Sequence, residues 1–577
     1  MDITKTPLSF YGSYMALAFQ KQEGAMKTGL FLNSLRGKSR SHMNVLKLIP
    51  TVNGAPVDYE YIADYNLVII RFSGGEISIC FDSDSRIVIK GSGEKAGLRL
   101  DTQPVYNFEY NYLLGRKGSE YCIVNSYKNL TKFMIFCPSG SVSLNQDVYM
   151  DSRGSTNEAE NQSAINISSA DGSGFLCVME DLPTHGGKPA DREYSFEQAL
   201  KNSRKAFEDY CSKLPEAPEE YRDTQINAAY INWSSVVKPE GYLKRDTMFV
   251  SNNYFLGTWS WDHCFNAIAL AGVDNQLSWD QMAVLFDYQD KLGQIPGSLS
   301  DSTIRWNFAK PPVHGWTYTK MMEKMEFSAE QLEAIYRQIK KQVQFYLTYK
   351  DSNEDGIPEY HHGNDSGQDN STVFRNASII DSPDLTAFLI KDMDMLVMVA
   401  EKLGKSEEKS HWEQESKRLT DLYCSYFLVD DLPVARVMST GEVIESASFL
   451  PLMSLLIADK LPASARKKMV ETITSGKYTT KWGIASEAVD SSLYQDDAYW
   501  RGAIWAPTTL ILIDALERCG EMEAALSISE KYCKLVHQNG FSENFNALTG
   551  EGLRDPSFTW TASAFIYLAA KVQESRA

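Results

Sequence analysis

Apolar and polar positions follow two different rhythms along this chain, and the change falls near residue 190. Before it, apolar residues come in short alternating runs. "NLVIIRFSGGEISICFDSDSRIVIKG" (66–91) reads as strands rich in Val, Ile and Phe, with Gly74-Gly75 as a hairpin turn. "SEYCIVNSYKNLTKFMIFCPSGSVSL" (119–144) repeats the pattern, and the polar stretch 150–174 reads as a long connection. An antiparallel β-sandwich over residues 1–190 is the expectation, because a sheet that is apolar on one face must bury that face against a second layer.

From residue 192 the spacing becomes helical. "SFEQALKNSRKAFEDYCSKL" (195–214) predicts a linking helix, ended by "PEAPEEY", so residues 191–218 read as a helical linker. Ser328 with Gln331 predicts a capping box, followed by Leu332, Ile335, Ile339, Val343 and Leu347 on one face. Leu385, Phe388, Leu389, Leu396 and Val399 form a second stripe, and further helices are expected in 415–428, 504–520 and 559–572. No short repeat is evident, which argues against a simple solenoid. About a dozen helices between residues 219 and 577, joined by loops rich in Trp, Asp and Gly, suit a closed toroid of helix pairs.

Four loops at predicted helix boundaries combine aromatic and acidic residues. They are "NNYFLGTWSWDHCF" (252–265), "HHGNDSGQDNSTVF" (361–374), "DDAYWRGAIWAP" (496–507) and "GFSENFNALTGEGL" (540–553). Each has an ordinary explanation when taken alone. Asp262 can cap a helix, Arg501 can serve a structural ion pair, Glu551 can belong to a turn, and Glu543 can be a surface carboxylate. Their recurrence at four helix ends is harder to explain that way. Trp259, Trp261, Trp500 and Trp505 are candidate sugar platforms, and paired acids suit glycoside hydrolysis. One carboxylic acid protonates the leaving oxygen, and in an inverting enzyme a second carboxylate, roughly 6.5–9.5 Å away, activates water. "DSNEDGIPE" (351–359) raises a separate expectation of a calcium loop through Asp351, Asn353, Asp355 and Glu359. The twelve-residue EF-hand pattern is incomplete, so a polar turn competes with that reading.

The bulk numbers narrow the partners. A formal net charge of −18 argues against nucleic acid and against an anionic membrane surface. Nine cysteines without paired spacing read as reduced thiols. The N-terminal stretch lacks a signal-peptide pattern, and no uncharged apolar run reaches the ~18 residues of a membrane helix, so a soluble cytoplasmic protein is expected. A small carbohydrate is the expected partner, and no cofactor is expected.

Five motifs carry a family resemblance. "SWDHCF", "DGIPEYHHGNDSGQDNSTVF", "KWGIASEA", "YWRGAIWAP" and "ENFNALTGEGLRDPSFTWTASAF" occur in the order of the (α/α)6-barrel glycoside hydrolases around family 63, with trehalases and glucoamylases as more distant relatives. Over residues 225–570 the chain resembles these enzymes, whose barrel often follows a β-sandwich. The resemblance implies an inverting exo-glycosidase, with Asp369 as general acid and Glu543 as general base. Asp365 replaces the Glu of the acid motif, and Gln368 replaces its Trp. Trp261 and Asp262 match positions that hold the terminal sugar. Trp500, Arg501 and Gly502 match a strip framing the same subsite, and Lys310 and Trp316 match through "KPPVHGW".

An α-glucosidase is the first reading of substrate, and an α-mannoside hydrolase acting on mannosylglycerate-like compounds is the alternative. Phosphorylases use the same barrel, but Glu543 favours water as nucleophile. Sugar 2-epimerases would need His chemistry, for which His361 and His362 stand beside the acid loop. A sugar-binding pseudoenzyme would lack one carboxylate of the pair. The mechanism also sets an expectation for each carboxyl: Asp369 should be buried and protonated, and Glu543 should lie in polar surroundings and stay ionised.

Overall fold

The computed structural model describes residues 1–576 except 21–27, 38–43, 103–110, 116–119, 127–128, 146–162, 183–188, 191 and 254. The chain forms two compact units. The first comprises Met1–Ser212, Tyr230–Gly257 and Ser300–Thr303, and the second Lys213–Ala229, Thr258–Leu299 and Ile304–Ala577.

Two antiparallel eight-stranded sheets build the first unit, as the alternation predicts. In the second of these sheets the strands Leu67–Phe72 and Gly75–Ser83 pair as a hairpin in which Phe72 faces Gly75. The turn is therefore Ser73–Gly74, with Gly74 at φ +107°, while Gly75 already belongs to the strand. Along Gly75–Ser83 the residues Ile77, Ile79 and Phe81 are buried on one face, and Cys80 is buried on the other. That other face is covered by helix α1 (Phe196–Cys211), whose Phe196 and Ala199 pack with Cys80 and Val88. The helix read as a linker thus lies on this sheet. The polar connection at 150–174 falls outside the described residues as far as 162. Beyond that point Ala164–Ser168 is a strand, with Ala164, Ile165 and Ile167 buried. All nine cysteines are free thiols, and among the described residues no helix is long and apolar enough to cross a membrane.

The second unit contains the N-terminal part of α2 (Arg222–Ser234), then α3 (Asp262–Leu270), α4 (Asn275–Phe286), α5 (His314–Met322), α6 (Ala329–Tyr349), α7 (Pro383–Lys402) and α8 (Ser406–Tyr426). A tight run of 3-10 turns at Leu450–Lys460 follows, then α9 (Ala463–Thr474), α10 (Ala506–Arg518), α11 (Met522–Asn539) and α12 (Thr559–Arg576). Packing partners close a ring. α3 touches α5, α5 touches α7, and α7 touches the 450–460 run; that run touches α10, α10 touches α12, and α12 returns to α3. The intervening helices lie outside, α4 on α3, α6 and α8 on α7, α9 on the 450–460 run, and α11 on α10 and α12. This is an (α/α)6 barrel.

The position in the ring explains the sequence pattern of each helix. Every residue of α3 is buried, as is α10 from Ala506 to Leu516, because an inner helix is covered by neighbours on all sides and has no polar face to show. The outer α6 keeps one apolar stripe, with Ile335, Ile339 and Val343 buried, and its Ser328–Gln331 capping box forms. Leu332 and Leu347 at the ends of that stripe are half-buried.

Inner and outer helices alternate along the chain, so all the inner N-termini point to one end of the barrel. Connections from inner to outer helices are short, such as 403–405, 461–462 and 519–521. Connections from outer to inner helices are long, such as 350–382, 475–505 and 540–558. The long loops therefore gather on the end that the inner helices start from, and each motif found in the sequence enters an inner helix there.

Candidate active site

The acid loop is fixed by contacts made on both sides of it. Asp365 is 3% exposed and fully engaged. Lys350 Nζ donates to its Oδ2 at 2.9 Å, the backbone N–H of Ala309 donates to its Oδ1 at 3.2 Å, and the N–H of His361 donates to Oδ2 at 3.3 Å. His362 Nε2 lies 3.5 Å from Oδ1, so both histidines serve this loop edge. Gly367 turns the chain at φ +73°, and a Cβ there would come within 2.6 Å of the Trp261 ring. Gln368 is fully buried, its Nε2 3.0 Å from Met453 Sδ and its Oε1 without a hydrogen-bond partner among the described residues.

Asp369 and Asn370 then join two other loops. Lys310 Nζ donates to Asp369 Oδ1 at 3.0 Å. Asn370 Nδ2 donates to Ala498 O at 2.9 Å, its Oδ1 accepts from the Trp500 N–H at 2.9 Å, and its carbonyl accepts from Arg501 Nε at 3.1 Å. Thr372 Oγ1 donates to Glu487 Oε2 at 2.7 Å, and Ser371 shares a 2.7 Å hydrogen bond with Ser448.

Glu543 arrives from the last loop. Ile504 and Phe545 exchange backbone hydrogen bonds, which sets the 540–558 loop beside the 496–507 strip. Glu543 N donates to Asp555 O at 2.8 Å, and Trp560 Nε1 donates to Glu543 O at 2.9 Å. Its carboxyl is reached by Tyr499, whose hydroxyl donates to Oε1 at 2.9 Å, while Oε2 is buried and among the described residues has no hydrogen-bond partner. Tyr499 holds φ +65°, an uncommon value for a non-glycine residue and one that marks a constrained site.

The tryptophans form walls. Trp500 and Trp505 stack with ring centroids 3.8 Å apart and an interplanar angle of 5°, and Trp261 lies 6.0 Å from Trp500 and 6.2 Å from Trp560. Trp261, Trp500 and Trp505 are each 1–2% exposed, so they pack against one another rather than offer open faces, whereas Trp259 is only half-buried. Gly502 fits where a Cβ would strike the Gln495 carbonyl at 2.7 Å, and its N–H donates to Ser486 Oγ at 3.0 Å. Trp316 stands apart from this group. Its Nε1 donates to Asp514 Oδ2 at 2.9 Å, in a buried ion cluster with Lys320 and Arg518.

Electrostatics reverse the environments expected for the two carboxyls. Glu543 is the buried one, and burial pushes its carboxyl up to about 8; the Tyr499 hydrogen bond opposes this, and the charges of Asp555 and Asp262 add to it. Asp369 has the more open side chain, 34% exposed, and an ammonium beside it. The reason lies in the loops: Glu543 sits beneath Trp560 between paired backbone segments, while Asp369 follows the Gly367 turn outward. Asp262 is the first residue of α3, and burial raises it to about 7, opposed by the Lys310 charge. The Tyr499 phenol is raised well above its ordinary value by burial and then by the charges of Glu543 and Asp369, with a smaller contribution from Asp262. One hydroxyl therefore feels all three carboxyls.

Tyr499, Asn370, Asp555 and Trp560 carry contacts to which the sequence reading gave no role, although Tyr499 and Asn370 lie inside the quoted loops and Asp555 and Trp560 fall within the last motif. The signal available for Tyr499 was its place beside Trp500 in the strip.

Two places bear on metals. In the 351–359 loop the carboxylates turn back on their own backbone. Asp351 accepts from the N–H groups of Asp355 (3.0 Å) and Gly356 (2.9 Å), and Glu359 accepts from the Ser352 N–H (2.9 Å) and hydroxyl. Among the described residues His263, Cys264 and His314 also come together in the barrel interior, with ligand atoms within 4.8 Å of one another. His263 Nδ1 meets Trp259 O at 2.6 Å and His314 Nδ1 meets Gln342 Nε2 at 3.2 Å, while burial lowers His263 to about 4 and His314 well below its ordinary value.

Comparison with known proteins gives a consistent result. Residues 255–561, more than half of the chain, match the family described as the mannosylglycerate hydrolase MGH1-like glycoside hydrolase domain. A curated mannosylglycerate hydrolase from Thermus thermophilus is 24% identical over 162 residues, a match covering 27% of this chain and 34% of that protein. The chain therefore aligns with about a third of that relative's length. A GH63 mannosylglycerate hydrolase from a second Thermus thermophilus strain, solved in complex with Tris, superposes with a TM-score of 0.52 at 17% identity, covering 59% of this chain and 99% of that one. A bacterial glucoamylase solved with acarbose superposes with a TM-score of 0.59 at 12% identity, covering 100% of this chain and 94% of that one.

Proposed function

Since the chain belongs to the MGH1-like glycoside hydrolase family, we propose that it is an inverting exo-glycosidase that splits a small α-mannoside or α-glucoside whose leaving group is a hydroxy acid of the glycerate kind. In this reading Asp369 protonates the glycosidic oxygen, and Glu543 accepts a proton from the water that attacks the anomeric carbon from the opposite face. The sugar leaves with its configuration inverted, and each carboxyl recovers its starting form by exchange with solvent.

One observation carries the reading: among the described residues Glu543 Oε2 is buried and has no donor, while Oε1 of the same carboxyl is occupied by Tyr499. A buried carboxylate oxygen is costly to leave unpaired, and a water held there would both satisfy it and stand ready to lose a proton. Asp369 complements it, because Oδ1 accepts from Lys310 and leaves Oδ2 free to carry and deliver a proton. In this reading Asp262 at the start of α3 and the half-buried Trp259 hold the terminal ring.

Mannose is the first choice of glycone, following the family's name. Glucose is the second reading, because Gln368, buried with a free acceptor oxygen, takes the place of a Trp in the acid motif and alters the wall of the pit. The test is NMR detection of the anomer released from α-mannosylglycerate and α-glucosylglycerate. β-Hexose as first product is expected, and α-hexose would mean retention and overturn the mechanism. Asp369→Asn is expected to lower kcat by at least ~10³-fold without loss of fold, and full activity in that variant would remove Asp369 as acid.

A further inference from the structure

We propose that the barrel binds a structural metal ion of the zinc class through His263, Cys264 and His314, between the first turns of the inner helices α3 and α5. The inference does not depend on the reaction proposed above, since metal binding is measured without substrate. It starts from two unpaired nitrogens. His263 and His314 are two of the chain's eight histidines, both are fully buried, and their ring centroids stand 5.8 Å apart. Among the described residues the Nε2 atom of each has no hydrogen-bond partner. One orphaned imidazole nitrogen in an interior is costly. Here two occur together, beside the buried Cys264 thiol, with ligand atoms of the three residues within 4.8 Å of one another.

The other nitrogen of each ring explains why Nε2 is the one on offer. His263 Nδ1 meets the Trp259 carbonyl at 2.6 Å; a carbonyl only accepts, so Nδ1 carries the proton and Nε2 keeps a lone pair. His314 Nδ1 lies 3.2 Å from Gln342 Nε2, and the Oε1 of that amide is buried with no partner among the described residues. With the amide turned so that its oxygen meets Nδ1, His314 takes the same tautomer as His263. Metal-bound histidines donate their second N–H to an oxygen in this way, which fixes the ring and raises its basicity. The Cys264 thiol has a long contact, 3.9 Å, to the Ser260 carbonyl. That carbonyl also lies near the His314 ring, outside hydrogen-bond geometry for Nε2, and so places an oxygen beside the three side chains.

Two imidazoles and a thiol select the ion. Mg2+ and Ca2+ take oxygen ligands, whereas Zn2+ accepts histidine nitrogen and cysteine sulfur. A tetrahedral Zn2+ centre sets such ligands roughly 3.4–3.7 Å apart, so the side chains have to draw in by at most ~1.5 Å. On binding, the Cys264 S–H bond breaks, the sulfur gives its electron pair to the metal and the proton passes to solvent. The thiolate cancels one of the two positive charges. Asp392 on α7 is placed to balance the other. It is fully buried, its Oδ1 accepts from the Gly315 N–H at 2.6 Å, and its Oδ2 has no partner among the described residues. Its charge is felt at Cys264.

The location gives the ion a clamping role. His263 and Cys264 belong to the first turn of α3, directly after Asp262, and His314 opens α5, four positions after Lys310. One ion thus joins two neighbouring inner helices at the end where the long loops gather, and holds the segments that carry Asp262 and Lys310.

The experiment titrates the full chain, stripped of metal by a chelator and dialysed, with Zn2+, Co2+ and Mg2+. A single Zn2+ is expected to bind per chain, with a melting temperature that rises with free Zn2+. Co2+ should give a thiolate-to-cobalt charge-transfer band in the near ultraviolet, and Mg2+ should do neither. Cys264→Ser is expected to remove that band. His314→Gln should weaken Zn2+ binding by more than the ~10–100-fold that follows loss of an outer hydrogen-bond partner, and Gln342→Ala should weaken it by that amount. A wild-type chain that takes up neither Zn2+ nor Co2+ would overturn the inference. So would uptake unchanged in Cys264→Ser and His314→Gln, which would move the metal to another of the nine cysteines. Gln342→Ala removes no ligand, so it keeps the test open if a ligand variant does not fold: an unchanged Zn2+ affinity there overturns the assignment.

Discussion

Replacing Glu543 by Gln should do two things that are seldom seen together: abolish turnover and stabilise the fold, the second effect growing with pH. Burial raises the Glu543 carboxyl from 4.5 to about 8. A folded-state pKa above the unfolded one means that the fold prefers the protonated form. Below pH 4.5 both states carry the proton and there is no penalty. Between 4.5 and 8 the unfolded chain ionises freely while the folded one must either retain its proton or bury a charge, so stability falls as pH rises. The slope is ~1.4 kcal/mol per pH unit, which over the window gives a ceiling of ~5 kcal/mol for the wild-type penalty at pH 8. Water entering the pit reduces this, and ~2–3 kcal/mol is a reasonable expectation for the observed difference. Glu543→Gln has no charge to bury and still offers an oxygen to the Tyr499 hydroxyl. Denaturant melts of both proteins at half-unit steps from pH 4.5 to 8.5 measure the effect. The expected difference is near zero at the acid end and largest at pH 8. A difference that is flat across the range, or that favours the wild type at pH 8, would refute the link between burial and proton affinity.

Other consequences can be checked in parallel. Tyr499→Phe removes the hydrogen bond that favours the Glu543 carboxylate, so the ascending limb of kcat/KM against pH should move to higher pH and kcat/KM at pH 7 should fall by ~10–100-fold; an unmoved limb counts against that contact. Gly367→Ala places a Cβ against the Trp261 ring at a left-handed φ, and a loss of ~2 kcal/mol or more in urea unfolding is expected, with a weaker glycone contact reflected in KM. Trp316→Phe leaves Asp514 one donor short and should lower stability by roughly 1–3 kcal/mol while KM stays within about twofold; a large KM effect would return Trp316 to the sugar site.

What the sequence discloses depends on how local the cause is. The Ser328–Gln331 capping box is made and read within four residues, and the alternation of Ile77 and Ile79 is enough to place a strand. The loops that carry the site were legible because acids and tryptophans recur at helix starts, and in a ring of inward-pointing helices all those starts share one end. The environment of each carboxyl was not legible. Glu543 is buried by Trp560, which follows it by 17 residues, and by the Ile504–Phe545 pairing; Asp369 acquires its ammonium from a residue 59 positions earlier. The partner of Trp316 was not legible for the same reason: "KPPVHGW" is continuous in sequence, but Lys310 precedes the helix and reaches Asp369, whereas Trp316 lies on α5 and reaches Asp514 on α10.

The ring of inner helices is completed by its last member, α12, which packs on α10 on one side and on α3 on the other. During synthesis the segments from α3 to α11 leave the ribosome as an open arc, with an apolar flank of α3 exposed and Trp560 not yet available to hold the Glu543 backbone. Closure of the ring therefore waits on α12. A stop codon before α12 would leave the ring open and remove the Trp560 contact to the Glu543 backbone.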